Sequence, residues 1–442
     1  MAVVTSLAER IDILESSEAG EETWRISRRI GWRKSTVRKW RNRGRKLGRT
    51  GLVSQMGRPQ SGALSSFPEE VTTTLLRWRQ EHPGWGPVTL HQELGRHPAF
   101  RGQKLPGPAR IGCLLKERGL TKQYDRHQAL PQEEKPIGLP HEVWEMDAQG
   151  YRFIPDVGQV ALINLNDRGS HLRLMSYPCW LGDKRVERHA NTGDYQTALR
   201  LAFVDWGLPK ALQVDHESVF YDNKTKSPFP TPLHLWLVAL GVTLHFGRQG
   251  QPTDQGMTER SHQLWTGQVI QGATFANWQA LHDALHQRRD FLNTILPCAS
   301  LDNQPPLVAF PQARHSGRPY RLEWEAELLD LNRIDAYLGR GRWFRRIANN
   351  GIISLGGTIY NVGRQWKQQQ IEVTFDPDTR HFSCFDAAGK LLQSFPLQGV
   401  SIDSLMGDVF PLLHFPVFQL ALPFTWDEQQ LIRLYEIVSD TT

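Results

Sequence analysis

The sequence predicts a multidomain chain: N-terminal α-helical helix-turn-helix units, a central α/β core with a mixed five-stranded sheet, and a small antiparallel β-barrel towards the C-terminus. Three observations carry this expectation. At 442 residues the chain is too long for one compact core. Between Arg25 and Arg49 it places 12 Lys or Arg among 25 residues and no acid, the electrostatic footprint of a polyanion-binding face. After about residue 140 the spacing of apolar residues changes from helical to alternating.

The wider composition fits a globular protein, with 39% hydrophobic and 22% charged residues and a formal net charge of +6. Cys113, Cys179, Cys298 and Cys384 stand apart with no CxxC pair, so neither a structural zinc site nor a disulfide framework is expected, as suits a reducing cytoplasm. The N-terminus has no charged-then-apolar leader. The most apolar stretch, Val409–Phe424, is interrupted by His, Gln and prolines, so no membrane partner is expected.

Residues 1–46 are read as the first DNA-binding domain. Leu7, Ile11 and Leu14 share a helical face, a second helix runs from about Glu22 to Ile30, Gly31 turns the chain, and Lys34–Arg43 follows with Val37 and Trp40 inward. That leaves Arg33, Lys34, Thr36, Arg38, Lys39, Asn42, Arg43, Arg45, Lys46 and Arg49 as candidate DNA contacts. The bland alternative is a solvated basic helix in an unrelated bundle. Residues 47–66 read as a basic linker suited to lie along phosphates. Residues 67–123 form a second, less charged helix-turn-helix-like unit, with PEEVTTTLLRWRQEHP, HPGWGPVTLHQELG and the proline-started LPGPARIGCLLKERGL as its three helical segments. Residues 124–140 are a polar, proline-bearing linker.

In the core, residues 141–298, the expected order is β-β-β-α-β-α-β-α. HEVWEMDAQG opens it, QVALINLND and HLRLMSYPCW form a hairpin, and GDYQTALRLAFVDWG is a helix closed by Gly207. ALQVDHE is a buried strand ending in an acid, and TLHFG leads to a helix beginning near Thr258. Residues 299–342 are a connecting loop with a helix from about Leu322 to Leu338. Residues 343–400 alternate short β-like runs with turns, and 401–442 form an acidic tail.

Three carboxylates stand out by position. Asp147 ends the first strand, Asp215 ends the fourth, and Glu259 starts the helix after the fifth; function in α/β sheets gathers at such strand ends. Converging carboxylates repel one another unless cations neutralise them, and oxygen-only ligation suits Mg²⁺ or Mn²⁺. Two ions roughly 3.5–4 Å apart would clamp the attacking and leaving oxygens of a phosphoryl displacement. On the helix, Glu259 shares a polar face with His262, Gln263 and Thr266, opposite Met257, Ser261, Leu264 and Trp265. Taken alone, Glu259 reads at least as well as an N-terminal helix acid favoured by the dipole. Glu145 alternates with Asp147, Asp167 ends the second strand, and Glu217, Asp222 and Asp254 lie near the chosen acids without joining them.

With these residues in view, the chain resembles bacterial insertion-sequence transposases of the DDE superfamily, whose catalytic core is of the retroviral-integrase type. The basic helix-turn-helix, HPGWG, WEMDAQG, LQVDHESVF, QPTDQGMTERSHQLW and RRDFLNTILPCASLDNQPPLVAFP carry the resemblance, which covers roughly residues 5–400. It implies an RNase H-like core and an SH3-like barrel around GIISLGGTIYNVGRQW. It implies Asp147, Asp215 and Glu259 as catalytic residues and metal ligands; Arg260 and His262, on the same helix as Glu259, are candidate DNA contacts by position, with polar surface the alternative for His262. The implied partners are transposon-end and target double-stranded DNA and further copies of the chain on that DNA, in a bacterial-type, nucleoid-associated cytoplasmic setting. His216-Glu217 stands where many relatives carry Asn-Gly. The alternatives are a domesticated, catalytically silent DNA-binding regulator, a ligand-binding transcription regulator, and a plain RNase H-like nuclease.

Overall fold

The computed structural model describes residues 5–53, 62–121, 138–222, 225–247, 256–409 and 412. Asp254, the turn delivering Glu259, part of the 47–66 linker, most of the 124–140 linker and most of the acidic tail lie outside them. The described residues fall into two compact units, one drawn from Met1–Thr72 and Pro106–Thr121, the other from Thr73–Leu105 and Lys122–Thr442.

The first unit contains α1 (Leu7–Glu18), α2 (Thr23–Ile30) and α3 (Lys34–Leu47). Ser6 and Glu9 form a reciprocal capping box at the start of α1, and Gly31, at φ 76°, ends α2 in the left-handed region that glycine adopts without strain. Ile13, Leu14, Ile26, Val37, Trp40 and Leu52 make one buried cluster. Val37 and Trp40 therefore face inward as their spacing predicts. Buried Arg10 lies 4.1 Å from the Trp40 ring and donates to the Leu52 carbonyl at 3.1 Å. Helix α4 (Glu69–Glu81) follows and crosses into the second unit, α5 (Pro87–Arg96) belongs to that unit, and α6 (Pro108–Glu117) returns to the first.

The second unit is built on β1 (Val143–Ile154), β2 (Gly158–Asp167), β3 (Arg173–Gly182), α7 (Thr192–Trp206), β4 (Ala211–Val214), α8 (Pro232–Ala239) and β5 (Thr243–Phe246). Helices α9 (Gly256–Trp265) and α10 (Trp278–Thr294) follow. The strands form one five-stranded sheet in the order β3-β2-β1-β4-β5, antiparallel from β1 to β3 and parallel across β1, β4 and β5. This is the mixed sheet expected of an RNase H-like core.

Strand periodicity splits the two faces. Ile163, Leu165, Trp144 and Met146 pack with Ala198, Phe203 and Trp206 of α7, whereas Val160 and Leu162 pack with Trp265, Leu281 and Leu285 of α9 and α10. Asn293 ties α10 to β3 by both accepting from the Arg173 amide at 2.9 Å and donating to its carbonyl at 2.8 Å.

HPGWG has a packing role in the same unit. Trp85 stacks on His82 at 4.0 Å, donates to the Gln268 carbonyl at 3.1 Å, and lies 4.6 Å from the guanidinium of Arg288. Gly84 sits against Gly267, in the π-turn Thr266–Ile270 that continues α9. A Cβ at residue 84 would come 2.0 Å from the Gly267 carbonyl oxygen and 2.3 Å from its Cα, a backbone obstacle that no rotamer relieves. Gly84→Ala is expected to cost about 1–3 kcal/mol, read as a lowered urea midpoint, with Gly86→Ala, which meets nothing within 4 Å, as the control.

The single helix expected over Leu322–Leu338 is two: α11 (Pro306–Ala309) is followed by α12 (Glu325–Leu328) and α13 (Leu331–Leu338). Leu329 turns extended at φ −74°, ψ 99°, and Asp330 caps α13 by accepting from the Asn332 amide.

The expected closed barrel is also corrected. Strands β6 (Arg342–Arg346), β7 (Ile352–Leu355), β8 (Thr358–Asn361), β9 (Gln370–Asp376), β10 (His381–Phe385) and β11 (Leu391–Pro396) precede a short α14 (Ile402–Met406). They form an open four-stranded sheet, β11-β10-β9-β6, and a separate β7-β8 hairpin; no closed barrel is present among the described residues. The apolar surface that closure would bury is covered from the core side. Phe229 packs 4.9 Å from the Trp343 ring and 5.9 Å from the Phe382 ring, and these residues belong to the same cluster as the central sheet. Among the described residues no helix is long and apolar enough to cross a membrane, and all four cysteines are unpaired.

Candidate active site

The parallel register between β1 and β4 pairs Val143 with Ala211, Trp144 with Leu212 and Glu145 with Gln213. Two residues beyond the last of these pairs stand Asp147, still on β1, and Asp215, the first residue after β4. Asp147 projects to the face covered by α9, because it pairs with Asn164, and two positions along β2 Asn166 accepts from Ser261 of α9 at 3.0 Å. Helix α9 also sets His262 Nε2 3.6 Å from the Asp147 carboxylate.

Burial first, and then the charges of Asp215, Glu217 and Glu259, push the Asp147 carboxyl up to about 7. All three predicted acids therefore share one electrostatic neighbourhood, although Glu259 itself is exposed. The Asp215 carboxylate accepts from the Glu217 amide at 2.9 Å, which fixes the turn after β4. Burial depresses the proton affinity of His262, opposed by Glu259, so His262 favours its neutral form beside Asp147.

Glu217, set aside in the sequence, belongs to this group. Its carboxylate accepts from the buried Tyr195 hydroxyl of α7 at 2.5 Å, and burial raises its proton affinity. Only packing of α7 reveals the pairing, so no sequence signal pointed to it. Asn164 was missed as well. It is fully buried opposite Asp147, with neither amide atom paired to another side chain or backbone group.

The donor set fits a hard divalent cation in chemistry: adjoining carboxylates, with Asp147 held towards protonation by burial and then by like charge. As arranged, no three His, Cys, Asp or Glu side chains among the described residues converge closely enough to hold one ion. Among the decoys, Glu145 lies 3.9 Å from Arg168, and Asp167 is buried and accepts from the His141 and Ser170 amides. Asp222 pairs with Arg345 at 3.8 Å.

Of the candidate DNA contacts, Arg33, Lys34, Arg38, Lys39, Asn42, Arg45, Lys46 and Arg49 are exposed, and Thr36 and Arg43 are half-buried. Arg49 pairs with Glu15 at 2.6 Å and Arg45 donates to Ser17 at 3.2 Å, so these two are partly committed within the unit. Arg260 is exposed on α9, and His262 is half-buried against Asp147.

These features define an α/β core of mixed sheet in which Asp147, lying within β1 rather than ending it as the sequence predicts, neighbours Asp215 just beyond β4. No protein-family model matches the chain. Among solved structures it is similar to the HTLV-2 integrase catalytic core domain in complex with magnesium, in its trimeric form, at 11% identity over 39% of this chain and 97% of that one, with a TM-score of 0.28. It is also similar to a chain of the simian T-cell lymphotropic virus intasome in complex with PP2A regulatory subunit B56 gamma, at 13% identity over 71% of this chain and 97% of that one, with a TM-score of 0.32. The order and direction of the five strands, rather than these overlaps, carry the fold class.

Proposed function

We propose that the chain is a DDE-type DNA transposase or integrase that binds transposon-end DNA, cleaves it, and joins the freed 3′-hydroxyl to target DNA. The observation that supports this reading is that the charges of Asp215 and Glu259 both act on Asp147, beyond a parallel β1–β4 register that ends two residues before each aspartate. Asp147, Asp215 and Glu259 would hold Mg²⁺ or Mn²⁺, as two ions. Such ions, when bound, acidify the attacking water or 3′-hydroxyl and stabilise the leaving oxygen. The chain's own part is orientation. The Glu217 amide holds the Asp215 carboxylate, and α9 presents His262 to Asp147.

The test uses the full chain, Mg²⁺ and labelled duplex DNA from the flanks of its gene. End nicking and strand joining are expected, and both should disappear in Asp215→Asn and Glu259→Gln while DNA binding persists. Binding without any cutting by the wild type would leave the second reading, a silent DNA-binding relative, for which the exposure of Glu259 is the supporting observation.

Exposed Arg38 and Lys39 are proposed to contact phosphate. Alanine at either is expected to weaken duplex binding and to flatten the plot of log affinity against log salt by about one unit per lost contact. Unchanged affinity in both would move recognition elsewhere in the chain.

A further inference from the structure

Near the end of β4, but outside the carboxylate group, the second unit contains an open cavity of about 280 Å³. Tyr221, His234, Phe246 and Tyr337 supply aromatic walls, and the exposed Arg340 and Arg342 supply charge. The rings meet at steep angles: Tyr221 and Phe246 at 5.2 Å and 71°, His234 and Phe246 at 5.9 Å and 64°, His234 and Tyr337 at 5.1 Å and 56°. They are not stacked in parallel on one another, and Tyr337 remains 39% exposed. His216, next to Asp215, packs on both Tyr221 and Phe246, which joins the cavity to the end of β4.

The lining selects a ligand class. Flat aromatic walls suit a π-faced ligand. His234 is buried and held neutral, its proton affinity lowered to about 4, so its ring can donate and accept at a base edge. Arg340 makes no ion pair or hydrogen bond through its guanidinium among the described residues, which leaves it for a phosphate, whereas Arg342 is 3.3 Å from Glu372. The one acid in the lining, Asp222, is engaged by Arg345 at 3.8 Å and by Thr225 at 3.0 Å. The cavity is open to solvent and large enough for a heterocyclic base.

We propose that this cavity receives a single unstacked base of a DNA strand, with the adjoining phosphate on Arg340. A base in a duplex must leave its stack to enter, so a frayed or single-stranded end is favoured. The choice of DNA as the source of the base rests on the proposed function; the aromatic and basic lining does not.

The test is photocrosslinking of the full chain, in EDTA, to a short single-stranded oligonucleotide carrying one 5-iododeoxyuridine, with the crosslinked peptides mapped by mass spectrometry. Crosslinks at Tyr221, Phe246 or Tyr337 are expected. Tyr337→Leu and Arg340→Ala should each lower that yield about tenfold while the variants' far-UV circular dichroism matches wild type and crosslinks to the basic N-terminal helices persist. Crosslinks confined to other segments, or an undiminished yield in both variants, would overturn the proposal. Equal labelling by free 5-iododeoxyuridine monophosphate at the same concentration would overturn a DNA strand as the source. Because no divalent ion is present and position is the readout, a crosslink in the cavity alongside absent Mg²⁺-dependent cleavage would sink the proposed function and leave the base site standing.

Discussion

Asp147→Asn is expected to abolish DNA cleavage and, in the absence of metal, to make the protein more stable at pH 8. The first effect follows if Asp147 holds the reaction's cation; removal of one preorganised electrostatic contact of this kind costs on the order of 10²–10³-fold in rate or more. The second follows from the sign of the linkage. The folded-state carboxyl is raised to about 7 from an ordinary value of 3.8, chiefly by burial and then by Asp215, Glu217 and Glu259. Its contribution to stability is therefore fully present below the unfolded value and is lost as pH rises through the folded one. Across that window the loss is up to about 1.4 kcal/mol per pH unit. Asparagine keeps the shape and removes the charge, so the difference in melting temperature between variant and wild type should be small at pH 4 and favour the variant at pH 8. Added Mg²⁺ should raise the wild-type melting temperature at pH 8 and do little for the variant. A variant that melts with the wild type at both pH values would show that the carboxylates do not repel one another as the fold indicates.

Asp147 and Asp215 were legible because each follows a short apolar run, although β1 continues past Asp147 to Ile154 instead of ending there. That acids on the first and fourth strands would be neighbours followed from the expected topology, but the register that pairs Glu145 with Gln213 did not, since it depends on β4 pairing with β1 across an intervening hairpin and helix. Glu217 was passed over for the same kind of reason: its partner Tyr195 lies on α7, and only packing brings the hydroxyl to the carboxylate. The short β-runs of residues 343–400 were readable from alternation and turns, but closure is decided by which edges pair. Here Phe229 covers the apolar surface instead. The break between α12 and α13 did have a local signal, because Asp330 precedes Leu331-Asn332 as a capping acid does; a continuous helical spacing of apolar residues on both sides hid it. HPGWG could be quoted as a motif, yet the need for glycine at residue 84 comes from Gly267, far along the chain.

The same dependence on distant partners makes Glu325 the most consequential residue outside the site. It is fully buried on α12 and receives the Arg200 guanidinium of α7 through two bonds, at 2.8 and 2.7 Å. Trp236 of α8 donates to it at 2.7 Å, and the Tyr320 hydroxyl donates to it as well. Arg200 in turn donates to the Met406 carbonyl at 2.8 Å, so one carboxylate holds α7, α8, α12 and α14 together. Glu325→Leu strands a buried guanidinium with a single remaining carbonyl, which is expected to cost about 3–5 kcal/mol. Arg200→Met should cost less, because the carboxylate keeps its indole and phenol donors. The double variant should recover much of the loss, but not all, since the Tyr320 and Trp236 donors then lack an acceptor, at about 1–3 kcal/mol each. Urea unfolding followed by tryptophan fluorescence measures all three. A Glu325→Leu midpoint within about 1 kcal/mol of wild type, or a double variant no better than the worse single one, would mean that the pair is not what fastens these helices.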